Sequence, residues 1–165
     1  MKNKTCAFTG PRPQNLPWGN NESDPRCLEV KKLIKEKIID AIDKGYEIFI
    51  TGLALGCDIY CAEIIFELKE TYPQIRLIGA IPCKTQDKFW DENSKKRYKH
   101  IISNIDDVHC LYDDYTGRKC MIERNQYMIK NSSLLIAIFS GVGNGTKSTI
   151  EYAKKLKVNI EIISF

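Results

Sequence analysis

The chain has 165 residues, 43% of them hydrophobic and 28% charged, with 25 basic against 21 acidic side chains and a net charge of +4. That length can bury a core without disulfide or metal staples, while the charge surplus is too small to imply nucleic acid or an anionic membrane as partner and is compatible with a local anion pocket. No stretch approaches the roughly 18 unbroken apolar residues of a membrane span, and the opening MKNKTCAFTG lacks the apolar run of a signal peptide, so a cytoplasmic protein without membrane contact is expected.

Seven cysteines, an odd number without a CxxC pair, sit mostly inside apolar runs. There a thiol acts as a small hydrophobe, so neither a disulfide framework nor a metal site is expected. His100 and His109 stand apart from any partner at ligand spacing.

In chain order, short apolar runs alternate with longer amphipathic ones. TCAFTG reads as a first buried strand, followed by the irregular segment GPRPQNLPWGNNESD. After Asp24 and Pro25 a helix carries Val30, Ile34, Ile38 and Ile42 on one stripe and stops at Gly45. EIFIT is the second strand. The turn TGLALGCD leads into a second helix from near Asp58, burying Ala62, Ile65, Phe66 and Leu68. IRLIGAIP is the third strand, and a third helix is predicted over about 85–104, with Trp90, Tyr98, Ile101 and Ile105 on its stripe. Trp90 and Tyr98 read as core, and the charges of KKRYKH at 95–100 read as a solvated face flanking that stripe. VHCLY, the loop DDYTGRK, a fourth helix with Met121, Asn125 and Met128, and the strand LLIAIF follow. A fifth helix after Thr146 turns Ile150, Ala153 and Leu156 inward, and VNIEII is the last strand.

This alternation predicts an α/β fold: a Rossmann-like, doubly wound, mostly parallel sheet with helices on both faces. No repeat, linker or low-complexity tract divides it, so residues 1–165 read as one domain. Ligands of such sheets bind outside the carboxyl ends of the strands, where the strand order reverses. The segments at those ends are TGPRP, TGLALGCD, IPCKTQ, YDDYTGR and SGVGNGT, and four of these five contain glycine.

SGVGNGTKST follows an apolar strand and opens a helix. Gly141, Gly143 and Gly145 let backbone N–H groups approach an anion, and Thr146 is expected to cap a helix whose amino end favours phosphate. The segment is neither GxGxxG nor a Walker motif, and a flexible turn with a capping threonine is the plainer alternative. Gly52 and Gly56 bracket a similar turn. Asp58 behind it would repel phosphate, so it serves a ribose hydroxyl or a cap, and Glu63 is a hydroxyl acceptor or part of a solvated face. Gly10 ends the first strand, and Arg12, held between two prolines, presents a fork suited to phosphate. Asn125 lies on an apolar stripe, where its amide needs a partner, with Arg124 beside it.

These segments together resemble the YpsA-like branch of the SLOG superfamily, found in Firmicutes: TGPRPQNLPWG, TGLALGCDIYCAE, the IPC segment followed by Trp90, RNQYMIKNSS and NGTKSTIEYA. The resemblance covers nearly the whole chain. It implies a Rossmannoid fold and a pocket for a nucleotide-derived ligand of ADP-ribose, NAD or other nucleotide type. It maps a phosphate-binding turn onto Gly143, Gly145 and Thr146, with Asn144 replacing a usual glycine, and an Arg-Asn pair onto Arg124 and Asn125. Lys130 stands where related sequences tend to carry aspartate. The superfamily's phosphoribohydrolases need a glutamate three residues after the turn's threonine, and that position is Thr149 here. Glu151, two residues on, is rotated by about 200° around the helix.

The expected function is a binding or sensing module for a nucleotide-derived small molecule, with no cofactor required. Gly10, Gly52, Gly56, Gly143, Gly145 and Thr146 would cradle it, Arg12 and Arg124 would supply charge, and Asp58, Glu63 and Asn125 polar contacts. The rival is a nucleotide N-glycosidase with Asp58 or Glu63 as its carboxylate. A further alternative is single-strand nucleic-acid binding like that of the related DprA proteins, which needs a basic groove with stacking aromatics; nucleic acid is the less expected partner. A homo-oligomer is compatible with the sequence.

Overall fold

The apolar runs at the centre of the chain's sheet form strands because they are covered on both sides. The computed structural model describes residues 1–165, with strands β1 (Thr5–Thr9), β2 (Ile48–Thr51), β3 (Arg76–Cys83), β4 (Asp107–Tyr112), β5 (Leu134–Ile138) and β6 (Asn159–Ile163). They form one six-stranded sheet of order β4-β3-β2-β1-β5-β6, and every neighbouring pair is parallel. The chain steps outward from β1 to β4, crosses back over the sheet, and resumes with β5 on the other side of β1. Strand order therefore reverses between β1 and β5.

The central strands β1, β2 and β5 are buried throughout, as a parallel sheet between helical layers requires. Alternation divides their side chains between two cores. Cys6 and Phe8 join a cluster of 29 buried residues under α1 (Pro25–Asp43), α2 (Cys57–Lys69) and α3 (Glu92–Asn104). Ala7 faces the opposite way, into a cluster of 10 shared with α4 (Arg118–Lys130) and α5 (Asn144–Lys155). All seven cysteines are free thiols, six of them buried. No helix is long and apolar enough to cross a membrane.

The predicted third helix begins late. Residues 84–90 fold as successive tight turns, with Lys88 N–H donating to Thr85 O and Trp90 N–H to Asp87 O at 3.0 and 3.1 Å. Asp91 then caps α3, its carboxylate accepting from Ser94 N–H at 2.9 Å and Ser94 Oγ at 2.7 Å. An aspartate that satisfies both donors starts a helix where it stands. Trp90 thus precedes the helix, yet still packs edge-on against Tyr98 at 5.1 Å.

The long segment after β1 is tied down at its far end. Glu22 accepts from Arg97 at 2.5 Å and from Lys31 at 2.8 Å, and Arg97 also reaches Glu63 at 2.6 Å. Arg97 of the basic run at 95–100 is therefore consumed by ion pairs. Trp18 donates to Tyr60 Oη at 3.2 Å. Burial opposes the charge on Glu22, but the bonds from Arg97 and Lys31 outweigh it and hold its carboxyl below its ordinary value of 4.5. A lowered native pKa gives stability that is complete above the ordinary value and is lost as pH falls through the lowered one. Acidification below about pH 4.5 is expected to release this segment, read as a red shift of Trp18 emission in a Trp90→Phe background. Glu22→Gln should show the shifted emission already at neutral pH; unchanged emission in that variant would remove the network from this role.

Candidate functional site

A cavity of about 970 Å³ lies along the carboxyl edge of the sheet, at the upper end of the roughly 300–1,000 Å³ usual for small-molecule sites. One wall is the switch point, with Phe8, Thr9 and Gly10 at the end of β1 facing residues 143–146 at the start of α5. The other walls come from the segments after β3 and β4 and from α4.

The start of α5 is open to an anion. Gly143 takes the N-cap position at φ +111°, a conformation that favours glycine. No side chain caps the helix and no acidic residue lies in its first turn, so the positive end of the helix carries free N–H groups. The helices α1 and α3 are different, being capped by Asp24 and Asp91. Thr146 does not cap α5 as expected. Because Gly143 makes the turn, the helix begins at Asn144, and Thr146 sits inside its first turn, buried and lining the cavity. A Cβ on Gly145 would meet nothing within 4 Å, so the space over this backbone is free. Thr149 Oγ is spent on Gly145 O at 2.9 Å.

Gly10 and Arg12 also line the cavity, Arg12 exposed at its rim. The arginine ion pairs of the structure use Arg26 and Arg97, leaving Arg12 and Arg118 at the cavity without a carboxylate partner. Gly10 is small for packing as well: its Cβ would fall 2.5 Å from Cys57 Cβ.

The second glycine turn has another role than the sequence suggests. Gly52 and Gly56 are not among the residues lining the cavity. Gly52 O accepts from Arg124 Nη1 at 2.6 Å, and a Cβ there would lie 2.6 Å from the same nitrogen. Gly56 is the N-cap of α2 at φ +90°, where a Cβ would lie 2.7 Å from Pro11 O. Glu63 faces Arg97, away from the cavity. Asp58 does line it, buried, with Oδ2 accepting from Ala54 N–H at 3.2 Å. Burial raises its carboxyl above the ordinary value, against the pull of the Arg124 and Arg12 cations.

Arg124 lies mid-helix in α4 and is 3% exposed. Besides Gly52 O, its Nη1 reaches Gln86 Oε1 at 3.3 Å and Ala80 O at 3.4 Å, while Nε donates to Asn125 Oδ1 at 2.8 Å. The amide of Asn125 thus finds its partner next door, and both residues line the cavity. Glu123, the residue before Arg124, accepts from Tyr112 Oη.

The YspA SLOG family model (YpsA) matches residues 6–165. The chain belongs to this family. UPF0398 proteins of Bacillus thuringiensis strain Al Hakam and Bacillus cereus strain AH187 are each 30% identical over 159 residues, covering 96% of this chain and 86% of theirs. Among solved structures, DNA processing protein A of Helicobacter pylori, described for its single-stranded DNA binding mode, superposes with a TM-score of 0.65 at 18% identity over 98% of this chain. DprA of Streptococcus pneumoniae superposes with a TM-score of 0.53 at 15% identity over 97%. The chain spans 65% and 59% of those two proteins' lengths. At such identities the likeness is one of fold, an α/β Rossmann-like domain.

In this family member several cavity residues come from segments whose side chains the sequence left unassigned. Gln86 bridges Arg124 to the Gly52 and Leu53 carbonyls, each 3.3 Å from its Nε2. Leu53, fully buried, holds φ +53° in that turn. Phe89, Tyr115 and Arg118 line the outer cavity. Their signal was position alone, in or beside the segments IPCKTQ and YDDYTGR behind β3 and β4.

Proposed function

We propose that this protein is a binding module for a nucleotide-derived small molecule. One observation carries the reading: a single cavity joins the uncapped start of α5 to the end of β1 at the point where strand order reverses. Phosphate would sit on the N–H groups of residues 144–146, with Arg12 as counter-charge. Asp58, the buried carboxylate of the cavity, would accept from a ribose hydroxyl. The enzymatic alternative keeps Asp58 as its acid, but Glu63 faces elsewhere and Thr149 stands at the hydrolase position.

A thermal-shift panel of nucleotides, NAD and ADP-ribose tests this. Ligand at about 100 times its dissociation constant adds roughly 2.7 kcal/mol, a rise of about 5–11 °C for a chain of this size. Gly145→Ala sharpens the test. Alanine in place of a helical glycine with open surroundings should stabilise the free protein by about 0.5–1 kcal/mol, while its methyl blocks the phosphate and removes the ligand-induced shift. A panel without any shift at millimolar concentration, or a Gly145→Ala variant that binds undiminished, would overturn the assignment.

A second reading is supported by the fold likeness to DprA and by the cations at the cavity mouth, Arg12, Lys88 and Arg118. It takes single-stranded nucleic acid as the ligand. Its mark would be an affinity that falls steeply with salt concentration.

A further inference from the structure

Two aromatic side chains at the cavity mouth project into solvent. Phe89 is 91% exposed and Tyr115 61% exposed. Single exposed hydrophobes are ordinary, but these two come from separate loops, behind β3 and behind β4, and line the same cavity as Gly143 and Arg12. Lys88 Nζ lies 5.4 Å from the centroid of the Phe89 ring, adding a cation beside it. Rings free on one side, with a cation at hand, are what a planar heterocycle stacks on.

Their place in the sheet sets a distance. The anion-accepting turn follows β5, while Phe89 and Tyr115 follow β3 and β4, three and four steps away in the order β4-β3-β2-β1-β5. At about 4.8 Å per step these ends are roughly 14–19 Å apart. A diphosphate bridge carries its far phosphate further from the base than a nucleoside monophosphate does, which suits that span better.

We propose that Phe89 and Tyr115 form a base-stacking clamp, and that the ligand is a diphosphate-bridged nucleotide with phosphate on the turn at residues 143–146 and its base on these rings. The proposal rests on the nucleotide reading above and adds the chemistry of the ligand's other end. Because both rings are exposed, truncating them leaves the core untouched.

The test is calorimetric titration of the full chain with two probes, ADP-ribose and ribose 5-phosphate. ADP-ribose is expected to bind at least tenfold more tightly. Phe89→Ala and Tyr115→Ala should each lower its affinity about tenfold, the scale of one stacked base, without moving ribose 5-phosphate binding or the melting temperature; Phe89→Trp should retain affinity. Equal affinity for the two probes, or ADP-ribose binding unchanged in both alanine variants, overturns the clamp and leaves the phosphate site standing. Binding of neither probe at millimolar concentration overturns both. An oligodeoxythymidine that binds where ADP-ribose does not, and loses affinity in the same variants, assigns the rings to a nucleic-acid strand and overturns the small-ligand proposal.

Discussion

Arg124→Ala is expected to lower the melting temperature of the ligand-free protein by about 6–20 °C. The guanidinium is nearly inaccessible and holds the carbonyl of Gly52 and the side chains of Gln86 and Asn125. Truncation strands these acceptors at about 1–3 kcal/mol each when buried. It also leaves Asp58 buried without the cation that most offsets its desolvation. Removing one partner of a buried charged arrangement costs about 3–5 kcal/mol, and each kcal/mol moves the transition of a domain this size by about 2–4 °C. Lysine should restore only part of the loss, since a point charge cannot serve Nε and Nη1 acceptors together. Asp58→Asn in the Arg124→Ala background should recover stability, because it removes the stranded charge. Differential scanning calorimetry of the four proteins decides it. A variant that melts like the parent and loses only ligand affinity would make Arg124 a ligand arginine, as the sequence first suggests, and would refute the structural role.

The strands were legible because a parallel sheet needs unbroken apolar runs, and LLIAIF or TCAFTG allow little else. The switch point was legible only as a set of glycines behind strands, since strand order has no local signature. What the sequence hid are contacts between distant segments. The bond from Arg124 to Gly52 spans 72 residues, so Gly52 looked like part of a phosphate cradle when its smallness admits a guanidinium. The turns at 84–90 merged with α3 because Trp90 falls in phase with Tyr98 and Ile101, and a hydrophobic stripe does not report where a capping aspartate interrupts it. Glu63 resembled a ligand residue for a similar reason: its partner Arg97 is on α3 and comes near only through the packing of α2 against that helix.

Gly56→Ala is expected to destabilise the protein by about 2–6 kcal/mol, whereas Gly145→Ala is expected to stabilise it. The two glycines stand at comparable places, one at and one just inside a helix start behind a strand, and differ in what surrounds the missing methyl. Gly56 holds φ +90° and ψ −127°, a region essentially reserved for glycine, so alanine carries about 1–3 kcal/mol of backbone strain. Its Cβ would also fall 2.7 Å from Pro11 O and 3.1 Å from Arg12 Cα. These are backbone atoms that cannot swing aside, and forced overpacking of this kind costs about 1–3 kcal/mol more. Pro11 O is moreover the acceptor of Cys57 N–H at 3.3 Å, so pushing it away loosens the start of α2 and moves Arg12 at the cavity rim. Urea unfolding should show a lower midpoint with an unchanged slope, and ligand affinity should fall with it because Arg12 has been displaced. Were Gly56→Ala to unfold within about 0.5 kcal/mol of the parent, the magnitude expected of an ordinary surface change, the close approach of α2 to the β1 loop would be the wrong account of this glycine.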